Sequence, residues 1–372
     1  MIGVKYTGTA FDHSGYGAAN RNFICSLTFA GLDMTTEIVA QTPEKSGYGW
    51  SETLIEDLTG RQIDYRIKII HLTPDLYPAY REPGKYHIGH LFWETDRLPK
   101  QWIAPCNQMN EIWTASEQQA DMIKKSGVTI PIHWFPQPID TMKSGKIIAP
   151  FVIPNFDGFL FYSVFQWIER KNPKALLQTY WKTFSGKQDV ALLLKTYRVT
   201  YGDNEFQKIK EDIRAWQAEL NLPHYPKVFL VKKLMDMDSV FRIHLTGDCF
   251  INTSRGEGWN IPSTEAMLMG KPIISINKTG IADYLPKDDY YPCDTKESQV
   301  TEVSYIPWYT RDQKWLDINE RELSDHMLSI YNDRLLAKNK GLQAQKFVKE
   351  NFNYHIVGMS MKKRLGEIDK FL

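Results

Sequence analysis

The chain has 372 residues, of which 24% are charged, and its formal net charge is +1 at pH 7. This length predicts about two domains, and the balanced charge gives no chain-wide reason to expect nucleic acid or an anionic membrane as a partner. The cysteines are far apart and form no Cys-x-x-Cys pair, at Cys25, Cys106, Cys249 and Cys293. The sequence therefore predicts neither a disulfide framework nor a zinc site, and a reducing cytosol is the expected compartment.

The first predicted element is a strand at Met1–Tyr6, which lacks the basic start and long apolar stretch of a secretory signal. The segment Ser14–Arg21 then opens a helix, and its two glycines give it the setting of a phosphate-binding loop. A Rossmann dinucleotide fingerprint needs a third glycine where this chain has Asn20, so a nicotinamide dehydrogenase is disfavoured. A plain strand-to-helix turn is an equally good interpretation.

Strand-like apolar runs alternate with helical stretches through the first part of the chain. The runs are Ile67–Leu72, Tyr86–Leu91 and Glu111–Ala115, and one helical stretch is Glu117–Lys125. This alternation predicts a parallel sheet with helices on its faces. The longest apolar run, Phe159–Ile168, is shorter than the about 20 residues that cross a bilayer, so no transmembrane segment is predicted. Contact of exposed aromatic side chains with a membrane surface is left open.

Polar side chains follow the second of these strands. Glu94 lies just beyond it, where open α/β sheets place their ligand groups, which suggests an acceptor-facing role. His87 and His90 are three positions apart and point to opposite faces of a strand, so they are poorly placed to share a metal. His87 is interpreted as a hydrogen-bonded histidine of the sheet.

A segment at 141–155 has no helical period and contains two prolines, and we interpret it as a linker. A second series of strand-like runs follows it, at Phe159–Phe165, Val190–Lys195, Lys227–Val231, Cys249–Asn252 and Pro272–Ser275. These runs predict a second α/β unit. Asp236 and Asp238 have the spacing of an Asp-x-Asp metal motif, but they precede a helical stretch and do not end a strand. Metal dependence is therefore not expected.

The loop after the predicted strand at Cys249–Asn252 contains a carboxylate between two glycines. Gly256 and Gly258 are expected to let the backbone turn with unusual dihedral angles, which leaves Glu257 on the loop. Glycine amides around it would donate to a sugar ring or a phosphate, while Glu257 accepts from sugar hydroxyls. A charged surface loop is the alternative.

A second carboxylate follows at the start of a helix. Pro262 lies near the helix start, and Ser263 or Thr264 can cap it, so Glu265 is expected in the first helical turn. There the helix dipole stabilises the carboxylate, which can accept two hydrogen bonds from a vicinal diol such as that of ribose. A solvated residue on an amphipathic helix is the alternative.

This part of the chain resembles the family 4 glycosyltransferases. The resemblance is carried by Ser254–Trp259, Glu265–Met267, Gly270–Ile274 and Gly280–Leu285. It implies an α/β chain of the GT-B fold, with two Rossmann-like domains whose parallel sheets face across a cleft, and a C-terminal helix that crosses back to the first domain. The expected domains are an acceptor-side domain at 1–145 with the returning helix at 352–372, and a nucleotide-sugar-binding domain at 155–350.

The resemblance also implies roles for individual residues. Lys171 matches the lysine that the family places against the diphosphate, and with Arg170 and Glu257 it forms the expected catalytic set. The family commonly has an arginine where this chain has Gln166, and Arg170 or Lys195 would replace it. The expected donor-binding residues are Glu265, Gly256, Gly258, Trp259, Asn260, Ser263, Thr264, Lys195, Gly15, Tyr16 and Gly17. The expected acceptor-side residues are Glu94, His90 and Arg21. In the alternative interpretation, Arg170 and Lys171 only solvate a helix start.

The implied activity is that of a metal-independent, retaining hexosyl- or pentosyltransferase. It would move a sugar from a nucleoside-diphosphate sugar to a hydroxyl of a glycan, a lipid or a small molecule, with no cofactor besides this donor. Three alternatives stay open: a sugar phosphorylase or hydrolase on the same fold, a non-catalytic sugar-binding module, and a transferase that modifies a nucleic-acid base. Salt-dependent retention on duplex DNA would favour the last of these. The sequence does not identify the donor base, the sugar or the acceptor.

Overall fold

The computed structural model describes residues 2–39, 49–142, 149–301 and 306–372. The chain forms two compact units. The first comprises residues 1–145, 303–313 and 349–372, and the second comprises residues 146–302 and 314–348. Neither unit is therefore continuous in sequence. The linker predicted at 141–155 lies partly outside the described residues, because 143–148 are not among them.

A six-stranded parallel sheet is the centre of the first unit. Its strands are β1 (Gly3–Gly8), β2 (Asp33–Ile38), β3 (Ile67–His71), β4 (Tyr86–His90), β5 (Glu111–Thr114) and β6 (Ile132–Trp134). Their order across the sheet is β2-β1-β3-β4-β5-β6, and every neighbouring pair is parallel. The direction of winding reverses between β1 and β3, and open sheets bind ligands at the carboxyl ends of the strands that flank such a switch point.

The helices of the first unit follow the strands in the alternating order that the sequence predicts. They are α1 (Gly15–Phe29), α2 (Trp50–Leu58), α3 (Tyr77–Tyr80), α4 (Lys100–Asn107) and α5 (Glu117–Lys125). The apolar faces of β1, β3 and β4 pack with α1 to form the core of this unit.

The second unit contains another six-stranded parallel sheet. Its strands are β7 (Phe159–Gln166), β8 (Val190–Tyr197), β9 (Lys227–Val231), β10 (Cys249–Asn252), β11 (Ile273–Ile276) and β12 (Tyr291–Cys293). Their order is β12-β11-β10-β7-β8-β9, again with parallel pairs throughout. The chain adds β8 and β9 on one side of β7 and then β10 on the other. The switch point of this sheet therefore lies between β7 and β10.

Helices and an antiparallel hairpin complete the second unit. The helices are α6 (Pro173–Thr183), α7 (Asp203–Leu220), α8 (Met237–Thr246), α9 (Ile261–Leu268), α10 (Glu320–Asn332) and α11 (Arg334–Asn351). The hairpin pairs β13 (Thr295–Gln299) with β14 (Lys314–Ile318). The two parallel sheets with their helices confirm the predicted α/β class. No helix in the described part of the chain is both long enough and apolar enough to cross a membrane.

The last helix, α12 (Tyr354–Asp369), returns to the first unit and packs on α1. Gly358 allows this close approach, because a Cβ atom there would lie 2.1 Å from the carbonyl oxygen of Ser26. The Ser26 hydroxyl donates to the carbonyl oxygen of Tyr354 at 2.7 Å. The returning C-terminal helix that the sequence predicts is confirmed.

The core of the first unit contains two stacked histidines. The rings of His71 and His90 are 4.1 Å apart with an interplanar angle of 27°, and both residues are fully buried. The hydroxyl of Tyr6 bonds to Nδ1 of His71 at 2.5 Å, and the ring of Phe23 meets that of His90 edge-on at 4.4 Å. Burial lowers the pKa of His90 to about 3, and burial together with the neighbouring His90 lowers the pKa of His71 well below its ordinary value.

We expect this pair to make the protein sensitive to acid. An unfolded histidine titrates near 6.5, so the stability from the neutral rings is fully present above that pH and is lost as the pH falls toward 3. The free energy of unfolding should fall by about 1.4 kcal/mol per pH unit for each histidine. Urea unfolding at several pH values between 7 and 4 gives the free energy of unfolding at each pH. This free energy should change less steeply with pH in His90→Leu than in the wild type. His355→Gln replaces an exposed histidine on α12 and should keep the wild-type dependence of the unfolding free energy on pH. The same dependence in His90→Leu as in the wild type would contradict the role of the buried pair.

Candidate functional site

The predicted glycine loop lies at the switch point of the first sheet, between β1 and α1. Ser14 caps α1, and its hydroxyl accepts a hydrogen bond from the amide of Gly17 at 3.0 Å. Gly17 leaves no room for a side chain, because a Cβ atom would lie 2.3 Å from Oδ1 of Asp12. At Gly15, by contrast, no described atom lies within 4 Å of such a position, apart from its chain neighbours and the backbone of its own helix. Gly15 thus presents open backbone, whereas Gly17 is needed for packing.

Two side chains of α1 hold this loop in place through hydrogen bonds to backbone carbonyl oxygens. Arg21 is buried and donates to the carbonyl oxygens of Ala10 and Asp12 at 2.6 and 2.8 Å. The hydroxyl of Tyr16 donates to the carbonyl oxygen of Leu72 at 3.3 Å. These contacts hold the loop between β1 and α1 against the end of β3.

The predicted acceptor-side residues lie in different surroundings. His90 is in the stacked core pair, whereas Glu94 is half-buried and accepts a hydrogen bond from the hydroxyl of Tyr309 at 3.3 Å. The ring of Tyr309 also lies 5.2 Å from that of Trp93. Tyr309 belongs to the segment at 303–313, which the sequence analysis did not assign to the first unit.

His87 accepts a hydrogen bond from the backbone amide of Glu82 through Nε2 at 2.9 Å, so the prediction of a hydrogen-bonded sheet histidine is confirmed.

Within the described ranges, no group of three or more histidine, cysteine, aspartate or glutamate side chains is placed to hold a metal ion. All four cysteines are buried free thiols.

In the second unit, two cations lie on a turn at the carboxyl end of β7. A 3-10 turn at Glu169–Lys171 follows the strand, and Asn172 then begins α6 in a left-handed conformation with φ of 53°. Asparagine tolerates this conformation well because its short side chain hydrogen-bonds locally. A narrow crevice at the switch point is lined by Ser163 of β7, Asn252 of β10 and Lys171, among others.

Both cations contact the loop glutamate. Lys171 Nζ donates to Oε1 of Glu257, and Nη1 of Arg170 lies 3.3 Å from Oε2. Arg170 also donates to the carbonyl oxygen of Gly256 at 2.7 Å, and Asn260 donates to Oε1 of Glu257 at 3.2 Å. Glu257 is only 5% exposed. The structure therefore brings together the three residues that the sequence analysis assigned to catalysis.

The two cations of this cluster keep the loop carboxylate ionised. Burial acts to raise the pKa of Glu257, but the charges of Lys171 and Arg170 outweigh burial, so the pKa lies below its ordinary value. The carboxylate is thus ionised at neutral pH. Lys171 lines the crevice at the switch point, where an open α/β sheet binds its ligand, and Arg170 and the ionised Glu257 lie beside it.

The backbone of the loop differs from the prediction. The residue with the unusual dihedral angle is Asn260, whose φ is 75°, and neither Gly256 nor Gly258 has a positive φ. The chain therefore reverses direction at Asn260, directly before α9. Both glycines still lie beside Glu257 in the loop, and the carbonyl of Gly256 accepts from Arg170.

The start of α9 also differs from the prediction. Asn260 caps the helix by accepting a hydrogen bond from the amide of Ser263 at 3.1 Å, so the predicted cap at Ser263 or Thr264 is wrong. Because the helix begins at Ile261, Glu265 lies in its second turn and not in its first. The effect of the helix dipole falls off within the first turn. Glu265 instead has a direct partner, because Nε2 of His244 lies 3.3 Å from its Oε2.

Two predicted donor-binding residues, Trp259 and Thr264, hold the loop around Glu257 in place through buried side-chain contacts. Trp259 stacks on Tyr284 with ring centroids 3.8 Å apart, and its Nε1 donates to the hydroxyl of Thr264 at 2.9 Å. Gly280 lets the segment before Tyr284 approach the site, because a Cβ atom there would lie 2.8 Å from Cβ of Glu257. This aromatic stack and close approach fix Glu257 in position.

Lys195 lies at the carboxyl end of β8, opposite Val164 of β7 in the register of the sheet. It is 5% exposed, and its ammonium donates to the hydroxyl of Tyr201 at 3.1 Å. The rings of Tyr197 and Tyr201 stack beneath it at 4.5 Å. Among the described residues, no carboxylate lies within 4 Å of this ammonium. Burial lowers the pKa of Lys195 to about 8.

Sequence and structure comparisons relate this chain to known proteins. Residues 158–299 match the family described as "Glycosyl transferases group 1". No curated protein matches the sequence. The crystal structure of HepE from Anabaena in complex with UDP and glucose is similar, with a TM-score of 0.69 and 11% identity over 99% of this chain and 100% of HepE. Sucrose-phosphate synthase from Thermosynechococcus elongatus has a TM-score of 0.69 and 12% identity over 100% of both chains.

The chain has the GT-B fold. At identities of 11% and 12%, the solved structures establish that fold and nothing finer. The GT-B assignment agrees with the two six-stranded parallel sheets and with the returning helix α12. The family match covers less than half of the chain, but its residues 158–299 include Lys171, Glu257 and Glu265.

Proposed function

We propose that this protein is a retaining glycosyltransferase that moves a sugar from a nucleoside-diphosphate sugar to a hydroxyl of a glycan, a lipid or a small molecule. The observation that carries this proposal is the buried cluster of Lys171, Arg170 and Glu257 at the switch point of the second sheet. The family match over residues 158–299 supports it, and so does the presence of UDP and glucose in the similar HepE structure.

Each member of the cluster has a role in the proposed reaction. The bond between the anomeric carbon and the phosphate oxygen breaks, and negative charge develops on the departing diphosphate. Lys171 and Arg170 stabilise that charge, which is the kind of electrostatic contribution that usually dominates catalysis. Glu257, held by both cations, accepts hydrogen bonds from the sugar hydroxyls.

Retention of configuration follows if the acceptor attacks from the side of the leaving group. The acceptor oxygen forms its bond to the anomeric carbon while its proton passes to the departing phosphate oxygen, so no protein nucleophile is required. We propose that the reaction needs neither a metal ion nor a cofactor besides the donor. We place it in the cytoplasm, with the acceptor bound by the unit that contains Glu94 and the loop around Gly15.

The proposal is tested by incubating the purified protein with UDP-, GDP- and ADP-sugars and measuring release of the nucleoside diphosphate, with and without a panel of hydroxyl acceptors. We expect release from one donor to rise when an acceptor is added, to be insensitive to EDTA, and to give a product with the anomeric configuration of the donor by proton NMR. A donor that is consumed equally fast without any acceptor would indicate a hydrolase. Absence of turnover with every donor would contradict the proposal.

Lys195 should contribute to binding of the diphosphate. Its buried ammonium has no carboxylate partner in the described structure, so a phosphate would supply the missing charge. We expect Lys195→Met to weaken nucleoside-diphosphate binding by about tenfold or more at pH 7. Affinity of the wild type should fall between pH 7 and pH 9, because the ammonium, whose pKa is about 8, loses its proton there. Isothermal titration calorimetry at several pH values measures both effects.

Lys187 offers a matched control for this change. It is an exposed lysine whose ammonium also lies over a tyrosine ring, 5.9 Å from that of Tyr331. Lys187→Met should leave both the affinity and its pH dependence as in the wild type. Equal affinities in Lys195→Met and the wild type would remove Lys195 from the donor site.

A further inference from the structure

Two buried polar side chains connect the second sheet to the predicted diol-binding glutamate. The hydroxyl of Tyr162 lies 3.1 Å from Nδ1 of His244, and Nε2 of the same ring lies 3.3 Å from Oε2 of Glu265. Tyr162 and His244 are fully buried, and Glu265 is 6% exposed. We call this chain of hydrogen bonds the Tyr162–His244–Glu265 relay.

Each member of the relay is on a different element. Tyr162 is on β7, His244 is in the last turn of α8, and Glu265 is in the second turn of α9. Gly247 allows the end of α8 to lie on the tyrosine, because a Cβ atom there would be 2.1 Å from the Tyr162 ring. The imidazole is enclosed by the rings of Tyr162, Phe241 and Phe250, at centroid distances of 5.6, 6.0 and 6.0 Å. This packing leaves the imidazole little freedom to rotate.

The donors and acceptors of the relay can be assigned from the two residues at its ends, Tyr162 and Glu265. Burial raises the pKa of Tyr162 well above its ordinary value, so its hydroxyl keeps its proton and can donate to Nδ1 of His244. With Nδ1 as acceptor, a neutral imidazole carries its proton on Nε2 and donates it to the carboxylate of Glu265. The tyrosine thus selects the tautomer that the glutamate requires.

The relay engages only one oxygen of the glutamate. Among the described residues, every hydrogen bond of the Glu265 side chain runs through Oε2, to His244. The other oxygen, Oε1, is left to accept from a ligand, and the fixed Oε2 determines the direction in which Oε1 points. A vicinal diol requires such a directed carboxylate, because its two hydroxyls donate along fixed directions.

We propose that His244, set by Tyr162, is a positioning residue that orients Glu265 to bind the ribose diol of the donor nucleotide. This inference rests on the proposed function, because it assumes that the second unit binds a nucleoside diphosphate. The relay adds a residue that does not touch the ligand but determines how strongly the protein distinguishes ribose from deoxyribose. A histidine that only fills space in the core would not affect that distinction.

The test compares the affinity of whichever of UDP, GDP and ADP binds most tightly with the affinities of its 2′-deoxy and 3′-deoxy counterparts. In the wild type we expect the ribonucleotide to bind at least about tenfold more tightly, since hydrogen bonds to a charged group are among the stronger ones. His244→Leu should reduce this ratio to near one while leaving the affinity for the deoxynucleotides within about threefold of the wild type. Tyr162→Phe should reduce the ratio partly.

The conservative change separates positioning from packing. In His244→Gln the side-chain amide places a donor near the position of Nε2, so this variant should recover most of the wild-type ratio. An unchanged ratio in both His244→Leu and Tyr162→Phe would overturn the inference. If His244→Leu does not fold, the comparison of Tyr162→Phe with His244→Gln decides the question.

The proposed function and this inference fail in distinguishable ways. If none of the three nucleotides binds the wild type, the proposed function fails and the inference fails with it. If a nucleotide binds but the wild type does not distinguish it from its deoxy forms, Glu265 does not bind the diol, and the inference alone is overturned.

Discussion

Replacing Lys171 by glutamine is expected to lower kcat by about 10²–10³ in the donor-turnover assay, which is the typical effect of removing one stabilising group from a developing negative charge. The change removes the cation that bonds to Oε1 of Glu257. Donor binding should weaken less than turnover, because the charge on the leaving phosphate is largest in the transition state. Steady-state kinetics with varied donor concentration separates the two effects.

Lys174 provides the matched control for Lys171. It lies three residues further along, in the first turn of α6, and its exposed ammonium pairs with Glu219 at 2.7 Å. Lys174→Gln should keep wild-type kinetics, because an exposed ion pair contributes little. If Lys171→Gln turned over donor at more than about a third of the wild-type rate, the lysine would not be part of the catalytic cluster.

Replacing Gly280 by alanine should disable the site without touching a charged group. A Cβ atom at Gly280 would lie 2.8 Å from Cβ of Glu257 and 3.2 Å from the carbonyl oxygen of Trp259, so Glu257 must move. A displacement of about 1 Å in a catalytic group can cost about 10²-fold in rate, and we expect a loss of that size in kcat. The measurement is turnover of the same donor at saturating concentration.

The control variant Gly60→Ala separates the effect of displacing Glu257 from the effect of backbone strain. Both glycines have positive φ, 55° at Gly280 and 71° at Gly60, but apart from its chain neighbours no described atom lies within 4 Å of a Cβ atom built at Gly60. Each alanine variant should lose about 1–2 kcal/mol of unfolding free energy, because the left-handed conformation is strained for alanine. Only Gly280→Ala should lose activity. Wild-type turnover in Gly280→Ala would show that Glu257 tolerates the displacement.

The inner strands of both sheets could be predicted because they are buried on both faces, so they read as continuous apolar runs. The edge strands β2, β6 and β12 were not predicted. The run at Phe159–Phe165 corresponds to β7, and the run at Val190–Lys195 to β8. The meeting of Lys171 with Glu257 followed from the resemblance, and the topology explains it: β7 and β10 are neighbours, so the loops after them meet at one edge.

The start of α9 could not be predicted from local pattern alone. Asn260, Ser263 and Thr264 are all residue types that cap helices, and only the hydrogen bond that Asn260 accepts from the amide of Ser263 identifies it as the cap. That choice moves Glu265 into the second turn, where a side chain of α8 replaces the helix dipole as its partner. His244 and Glu265 are 21 positions apart on different helices, so no sequence period connects them.

The packing of Tyr309 was also beyond sequence reasoning. Its segment lies between the paired strands β13 and β14, so its position along the chain suggests the second unit. Its aromatic contact with Trp93 and its hydrogen bond to Glu94 place it in the first unit instead. Such a contact depends on tertiary packing of aromatic surface, which a single sequence does not encode in any local pattern.

Binding of a nucleoside-diphosphate sugar is the property on which the proposed function depends, and a thermal-shift screen tests it most directly. A ligand that binds only the folded protein raises its stability by mass action, by about 2.7 kcal/mol at a concentration of one hundred times Kd. We predict that at least one of the UDP-, GDP- and ADP-sugars or their nucleoside diphosphates raises Tm in a concentration-dependent manner, and that Glu265→Gln reduces this shift. If no nucleoside diphosphate or nucleotide sugar changes Tm at millimolar concentration, the account of the site given by Lys171, Glu257 and Glu265 is contradicted.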